Sequence, residues 1–232
     1  ISNPEFLREG AAIDDFIHPD RIVVGANTNK AFDAMKDVYS PLYINETPMI
    51  FTNIETAEMI KYASNSFLAT KISFINEIAN LCEKLGADVH QVSKGMGLDG
   101  RISSKFLHPG PGYGGSCFPK DTKALAYLGR QNNTKLNLIN ATIQTNIDQR
   151  LRIFSKVKSI LNNDLKGKIV SILGLSFKPE TDDIRESPAI EIIPNLIKSG
   201  SVVHAYDPVA IQNFKEVFPD LYYFKTWQEC VK

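Results

Sequence analysis

The chain has 232 residues, enough to bury a real core in one large or two ordinary domains. Its 26 basic and 26 acidic residues cancel, and a pI near 7.1 argues against a nucleic-acid or anionic-membrane surface. Hydrophobic residues at 43% exclude a disordered chain, and no apolar run approaches the ~20 residues of a membrane span. In chain order, residues 1–55 read as mixed α/β. Residues 21–25 form a short buried strand, 30–42 a helix and 48–51 a second strand. Thr52-Asn53-Ile54-Glu55 has the T-x-x-E form of a capping box. Behind it runs a long helix, about 56–85, with Ile60, Phe67, Phe74, Ile78, Leu81 and Leu85 at helical spacing and Gly86 as its stop.

A short helix at 89–95 precedes a glycine–proline region, and helices at 123–130 and 136–161 follow it, so residues 56–165 are mostly helical. The texture changes at 162–167. Residues 168–174 read as a buried strand, 189–198 as a helix interrupted by Pro194 and closed by Gly200, and 201–207 as a strand ending on Asp207. Strand, crossover helix and strand begin a parallel α/β sheet. The expected domains are residues 1–55, 56–165 and 166–232. There is no internal repeat.

Residues 109–121, PGPGYGGSCFPKD, set four glycines and three prolines around one cysteine. Glycine admits φ > 0 and close approach, and proline fixes φ, so such a loop is costly to order. It is either a tight connection with a bystander thiol or a positioned nucleophile, and Lys120, three residues on, favours a thiolate there. Cys82, Cys117 and Cys230 are odd in number and widely spaced, with no CxxC. A disulfide framework or zinc site is not expected, and a reducing cytoplasm is. His18, His90, His108 and His204 have no metal-ligand spacing, so no metal is expected. Cys82 belongs to a helix face and Cys230 to a terminal helix. Gly174-Leu175-Ser176-Phe177-Lys178 follows a strand but lacks the later glycines of a dinucleotide fingerprint, and no P-loop occurs. That connection instead carries Lys178 and then Thr181-Asp182-Asp183-Ile184-Arg185-Glu186-Ser187-Pro188. It is a solvated charged loop or one wall of a ligand crevice.

Five pieces now stand together: Asn3-Pro4-Glu5-Phe6-Leu7-Arg8-Glu9-Gly10; Lys61-Tyr62-Ala63-Ser64-Asn65; Gly97-Leu98-Asp99-Gly100-Arg101-Ile102; the cysteine loop; and Phe177-Lys178-Pro179 with Asp183 and Arg185-Glu186-Ser187. In order and spacing they resemble the nucleotide-sugar (UDP-glucose/GDP-mannose) dehydrogenases, and the resemblance covers the whole chain. Gly114-Gly115-Ser116-Cys117-Phe118-Pro119-Lys120-Asp121 is similar to the members that act on UDP-glucose. Members acting on UDP-N-acetylmannosamine tend to have His before the cysteine and lack the Lys-Asp pair. Those acting on GDP-mannose share the Ser-Cys-x-Pro-Lys-Asp core and are the nearest competitor. Gly-Leu-Asp-x-Arg-Ile, residues 97–102, favours UDP-glucose.

The resemblance implies an α/β fold: the remainder of an N-terminal Rossmann-type NAD-binding domain, a helical middle domain and a partial Rossmann-like UDP-binding domain. The chain opens at Ile1-Ser2-Asn3-Pro4 without Met. Most of the glycine-fingerprint domain and the tail of the UDP-binding domain lie outside it, so a fragment is expected, and a leader upstream stays open. The implied reaction takes a primary alcohol to a carboxylate by two hydride transfers to NAD, with Cys117 forming a thiohemiacetal and then a thioester.

By the same resemblance, Lys61 and Asn65, on one helix face at i and i+4, hold the reacting oxygen and an ordered water. Asp121 binds the catalytic water or caps the following helix. Glu5 is a general base for thioester hydrolysis and Glu9 a contact to NAD, on one helix face if that stretch is helical. Glu5, Phe6, Leu7, Arg8 and Glu9 line the substrate. So do Phe106, Leu107, His108, Pro109, Gly110, Tyr113, Gly114 and Lys178. Arg101 reaches substrate, either in its own subunit or across a dimer interface, and Lys120 and Arg185 lie by the cofactor. The expected partners are UDP-glucose and a second copy of the chain through the helical domain, with no nucleic acid and no membrane. Two readings compete: a non-catalytic dimerisation and UDP-sugar-binding piece, and a 6-phosphogluconate-type dehydrogenase, which leaves the cysteine loop unexplained.

Overall fold

The computed structural model describes residues 1–45 and 47–232, which divide into two compact units, Ile1–Asn65 and Ser66–Lys232. In the first, α1 (Ala12–Ile17), an element not expected from the sequence, precedes β1 (Ile22–Gly25), α2 (Asn29–Tyr39) and β2 (Met49–Thr52). β1 and β2 pair in parallel, Ile22 opposite Met49 and Gly25 opposite Thr52. The apolar run of β1 is buried at all four positions, whereas β2 leaves Ile50 and Phe51 exposed. Thr28 caps α2 by accepting from the Ala31 amide at 3.3 Å. α2 ends at Tyr39 and a 3-10 turn follows, short of the expected residue 42, because Pro41 has no amide to donate back to the preceding helical turn.

α3 (Ile54–Leu85) begins in the first unit and runs on into the second. Its cap corrects the sequence reading. Thr52 belongs to β2, and Asn53 Oδ1 accepts from the Thr56 amide at 2.8 Å, so the asparagine, not the T-x-x-E threonine, caps the helix. Gly86, at φ +71°, ends it as expected. The stretch holding Glu5 and Glu9 is not helical, so the i, i+4 placement of those two carboxylates does not hold.

The second unit continues with α4 (Val89–Gly97), α5 (Phe118–Gln131) and α6 (Asn137–Ile160). Asp88 caps α4 through the His90 amide. α5 starts five residues before the expected 123, directly after Cys117, because Pro119 suits a first helical turn. Then follow β3 (Ile169–Leu173), α7 (Pro188–Lys198), β4 (Val202–Tyr206), α8 (Ile211–Val217), β5 (Tyr222–Tyr223) and α9 (Trp227–Cys230). The strands lie in the order β3-β4-β5, all parallel. β3 is at the sheet's edge, so Ile169 and Leu173 are exposed and the run is less buried than its sequence suggests. Ser187 caps α7, and Pro194 does not interrupt it. Pro194 lacks an amide donor, but the helix continues on both sides, and Asn195 donates to the Glu191 carbonyl at 2.7 Å. Leu175, Ile193, Leu196, Val203, Ala205 and Phe214 form the core, with Ile153, Phe154 and Val157 of α6 packed against it. Cys82 is buried on α3 and Cys230 on α9, both as read from the sequence.

Asp207, at the end of β4, is 3% exposed and turned inward. Its carboxylate accepts from the amides of Leu175 (2.8 Å), Ser176 (3.2 Å), Val209 (2.9 Å) and Ala210 (2.8 Å), tying the loop after β3 to the turn before α8. Burial pushes its pKa up, but these donors outweigh burial and hold it below the usual carboxylate range. A depressed folded pKa adds stability above the unfolded value, roughly 4, which is lost as pH falls towards the folded one. Asp207→Asn is expected to cost about 1–3 kcal/mol at pH 7, and its deficit against wild type should shrink below pH ~4. Urea unfolding at both pH values checks this, and a pH-independent difference would count against it.

Candidate active site

Cys117 occupies the cap position of α5, half-buried, with Ser116 Oγ 3.6 Å from its sulfur and its carbonyl accepting from the Asp121 amide at 2.8 Å. The loop before it is held by polar side chains of α3 and α6. Asn146 accepts from the Tyr113 amide at 2.7 Å and donates to the Tyr113 carbonyl at 3.0 Å. Asn76 accepts from the Gly110 amide at 2.7 Å, and Gln149 donates to the Gly110 carbonyl at 2.8 Å. Arg150, its side chain 3% exposed, donates from Nη2 to the carbonyls of Tyr113 (2.7 Å) and Glu186 (2.8 Å). Its Nη1 meets the carboxylates of Glu186 (3.4 Å) and Glu191. Burial of such a cation is tolerated only because carbonyls and carboxylates surround it.

The glycines of this loop are approached closely by the chain itself. A Cβ on Gly114 would lie 2.2 Å from the Glu186 carbonyl oxygen. On Gly115, at φ +80°, it would lie 2.6 Å from the Phe177 ring, and the Gly115 amide donates to the Arg185 carbonyl at 2.8 Å. Gly110 faces open space. The two loops that the sequence set apart, 109–117 and 177–187, therefore share a backbone seam. Glu186, at φ 53°, is bound at its carboxylate by Lys123 of α5 at 2.9 Å. That bond, helped by Arg150 and set against burial, lowers its pKa.

Around this seam the other candidates take their places. Leu107 is 1% exposed, its carbonyl accepting from Ser93 at 2.5 Å, while Phe106 sits at φ 65° and His108 is exposed. Phe118 meets the rings of Phe106 (5.9 Å) and Tyr113 (6.1 Å) edge-on, and burial pushes the Tyr113 phenol up. Pro109 is half-buried. Lys178 lies 5.5 Å above the Phe177 ring. Arg185 is gripped by Asp183 through two contacts of 2.9 and 2.7 Å, with its side chain 66% exposed. Arg101 pairs with Asp99 in the same way and is 90% exposed. Asp121, 1% exposed, lies inside the first turn of α5, 3.3 Å from Lys120 Nζ. It is therefore not the helix cap, the alternative the sequence left open. An acid there is favoured by the helix dipole.

The first unit assembles a second group. Lys61 of α3, 13% exposed, donates to the Glu5 carbonyl at 2.5 Å and to its carboxylate at 3.0 Å. Glu5 also accepts from the Leu7 amide at 2.7 Å. Phe6 is covered by the Arg21 guanidinium at 3.7 Å and by Lys61 at 5.4 Å. Arg8 forms a paired contact with Asp15, and Glu9 follows it. Asn65, 8% exposed, lies one helical turn beyond Lys61. Glu5 and Lys61 are brought together although 56 residues apart. The sequence reading missed Asn76, Asn146, Gln149 and Arg150. The available signal was the polar i, i+3, i+4 pattern of the last three within an otherwise amphipathic helix.

Gly114→Ala is expected to destabilise the protein by about 1–3 kcal/mol or more, the usual cost of forcing atoms into a filled site. Gly115→Ala adds a left-handed-backbone cost of about 1–2 kcal/mol, whereas Gly110→Ala is expected to stay under ~1 kcal/mol. Urea unfolding of the three variants tests the order, and equal losses would contradict it.

Three family models match in chain order. They are the UDP-glucose/GDP-mannose dehydrogenase family NAD-binding domain at residues 1–43, central domain at 55–148 and UDP-binding domain at 171–232. The chain is 51% identical over 223 residues to a UDP-glucose 6-dehydrogenase of Rhizobium meliloti, covering 95% of this chain and 51% of that protein. It is also 51% identical over 217 residues to one from Rickettsia bellii, covering 94% and 50%. A UDP-glucose dehydrogenase structure from Pyrobaculum islandicum superposes with a TM-score of 0.95 at 40% identity, over 99% of this chain and 52% of that one. A UDP-D-ManNAc dehydrogenase from Pyrococcus horikoshii gives 0.78 at 26% identity, over 89% and 48%. The chain spans about half the length of these relatives. Its three domains, in the family's own order, place it in the UDP-glucose/GDP-mannose dehydrogenase family.

Proposed function

We propose that the protein carrying this chain oxidises UDP-glucose to UDP-glucuronate with NAD, in two steps at one site. The observation that carries the reading is Cys117, fixed at the start of α5 by a loop whose amides and carbonyls are bound on three sides. Higher identity to UDP-glucose enzymes than to the UDP-D-ManNAc enzyme supports the choice of sugar. GDP-mannose is the second reading, because the Ser-Cys-x-Pro-Lys-Asp core is shared.

The chain's donor groups suit part of a dinucleotide. Lys120 and Arg185 are cations with side chains 71% and 66% exposed, apt for a diphosphate, and Glu9 stands in the first unit. A glycine-rich phosphate cradle is not among these 232 residues. When bound, NAD supplies the hydride acceptor for each oxidation. The substrate hydroxyl gives its proton to the water held by Lys61 and Asn65, and Lys61, itself held by Glu5, stabilises the alkoxide that forms. Cys117 Sγ then bonds to the aldehyde carbon, and the carbonyl oxygen becomes the hydroxyl of a thiohemiacetal. Its oxidation leaves a thioester. Water adds to that carbonyl, a proton passes to Glu5 or Asp121, the C–S bond breaks, and the carboxylate leaves with the thiol restored. The stretch of Phe106, Leu107, His108, Pro109 and Gly110, with Tyr113 and Gly114, lines the nucleotide sugar. Phe6, Leu7, Arg8, Arg101 and Lys178 complete its surroundings.

In the full-length enzyme, Cys117→Ser is expected to bind UDP-glucose normally but to lose net turnover at least 100-fold, since an alcohol is a poor addend at neutral pH. NADH absorbance with UDP-glucose, GDP-mannose and UDP-N-acetylmannosamine side by side tests both sugar and nucleophile. Ordinary turnover by the serine variant would sink the mechanism. These 232 residues alone should form no NADH.

The protein is also a homodimer in this reading, joined through α3, whose Phe67, Phe74, Leu81 and Leu85 are 65, 44, 52 and 71% exposed. Phe74→Glu should shift its sedimentation towards monomer at micromolar concentration, and a wild-type monomer would refute the dimer.

A further inference from the structure

We infer that Arg150 is a positioning residue that locks the Cys117 loop onto the turn carrying Arg185, through the backbone carbonyls of Tyr113 and Glu186. The inference rests on the proposed reading only in taking Cys117 as the reacting group. Tyr113 lies four residues before Cys117, and Glu186 directly follows Arg185. One guanidinium nitrogen, Arg150 Nη2, reaches both carbonyls, at 2.7 and 2.8 Å. Alongside, the Gly115 amide is bonded to the Arg185 carbonyl, and Gly114 leaves no room for a side chain. The loops therefore cannot slide past each other without breaking bonds in a buried place, where an orphaned carbonyl is costly.

The charge is arranged so that the guanidinium stays in place. Glu186 and Glu191 both face Nη1, while Glu186 is itself held by Lys123 from α5. The helix that starts at Cys117 is thus tied to the same carboxylate as the arginine behind its loop. The geometry asks for a planar fork. An ammonium would keep the ion pairs but could not direct fixed donors at two carbonyls and two carboxylates together. Asn146 already donates to the Tyr113 carbonyl, whereas the Glu186 carbonyl is met by Arg150. What Arg150 adds is the link between loops 70 residues apart. Displacing a reacting group by about 1 Å can cost on the order of 100-fold in rate.

The test uses the full-length enzyme carrying Arg150→Lys. The expected result is at least a tenfold fall in kcat with KM for UDP-glucose within threefold. The rate of Cys117 alkylation by iodoacetamide without substrate, followed by peptide mass, should also change at least fivefold. Glu191→Gln, which keeps an acceptor beside Nη1 and leaves both carbonyl bonds intact, should stay within twofold of wild type in both measurements. If Arg150→Lys does not fold, Asn146→Ala removes the other donor to Tyr113 and should change the alkylation rate in the same direction. A lowered melting temperature with wild-type kcat and alkylation would make Arg150 merely structural and overturn the inference. An equal loss in Glu191→Gln would overturn it too, because charge rather than the carbonyl link would then matter. Failure of wild type to oxidise UDP-glucose would count against the proposed function alone, since alkylation still reports the loop.

Discussion

The backbone of residues 113–115 lies against that of 185–186 with no side chain between them, and most of the candidate site follows from that contact. Only glycine at 114 permits the approach, because any Cβ would fall within bonding range of the Glu186 oxygen. Burying this seam strands carbonyls that would otherwise bond to water, and Asn146 and Arg150 satisfy them. A buried guanidinium needs counter-charge, which brings Glu186 and Glu191 to it. Each polar group is explained by the one before it, and the sequence of needs starts from a missing methyl group.

This arrangement holds a loop rich in glycine in place, as the nucleophile proposed for it would require. Loops of this composition lose much entropy on ordering, so contacts must hold them. Here the contacts come from two long helices, α3 and α6, and from the sheet-bearing half of the second unit. A sulfur at a helix start, carried on such a frame, has few ways to wander. The Glu5–Lys61 pair in the first unit works differently. Its lysine is largely covered and holds both the backbone carbonyl and the carboxylate of Glu5.

The sequence disclosed the elements with strong periodicity and clear stops. α3 and its Gly86, the parallel strands β1, β3 and β4, and the helix α6 were all legible because apolar spacing and glycine signals agree there. What failed was local competition. Asn53 took the cap from Thr52 because the threonine was already committed to a strand ladder. Pro194 did not break α7, since burial of Ile192, Ile193 and Leu196 outweighs one missing hydrogen bond. The motif residues were visible as a set, but their scaffold was not. Asn76, Asn146 and Arg150 look like ordinary polar helix positions until the fold turns them inward. The loop glycines were read as admitting φ > 0 and close approach. Gly114 and Gly115 prove to be room for the chain itself, and Gly110 is the one of the three that stays open.

α3 carries the same lesson further, because polar side chains share its buried face with apolar ones while several large apolar ones stay outside. Asn65, Ser66, Ser73 and Asn76 are buried at 8, 1, 4 and 0% exposure, while Phe67, Phe74, Leu81 and Leu85 stand in the open. A helix folding for its own sake would do the reverse, since burying amides and hydroxyls costs unless each finds a partner. Several do: Ser73 donates to the Thr142 carbonyl at 3.1 Å, and Asn76 holds Gly110. The inward face thus sets hydrogen-bonding side chains among the buried Ala57, Ala69, Ile75 and Cys82. That placement leaves the apolar stripe facing outward, at a cost a second copy of the helix would remove by covering it. The polar residues that fix the cysteine loop point inward, and the exposed phenylalanines form the face that the proposed dimer would cover.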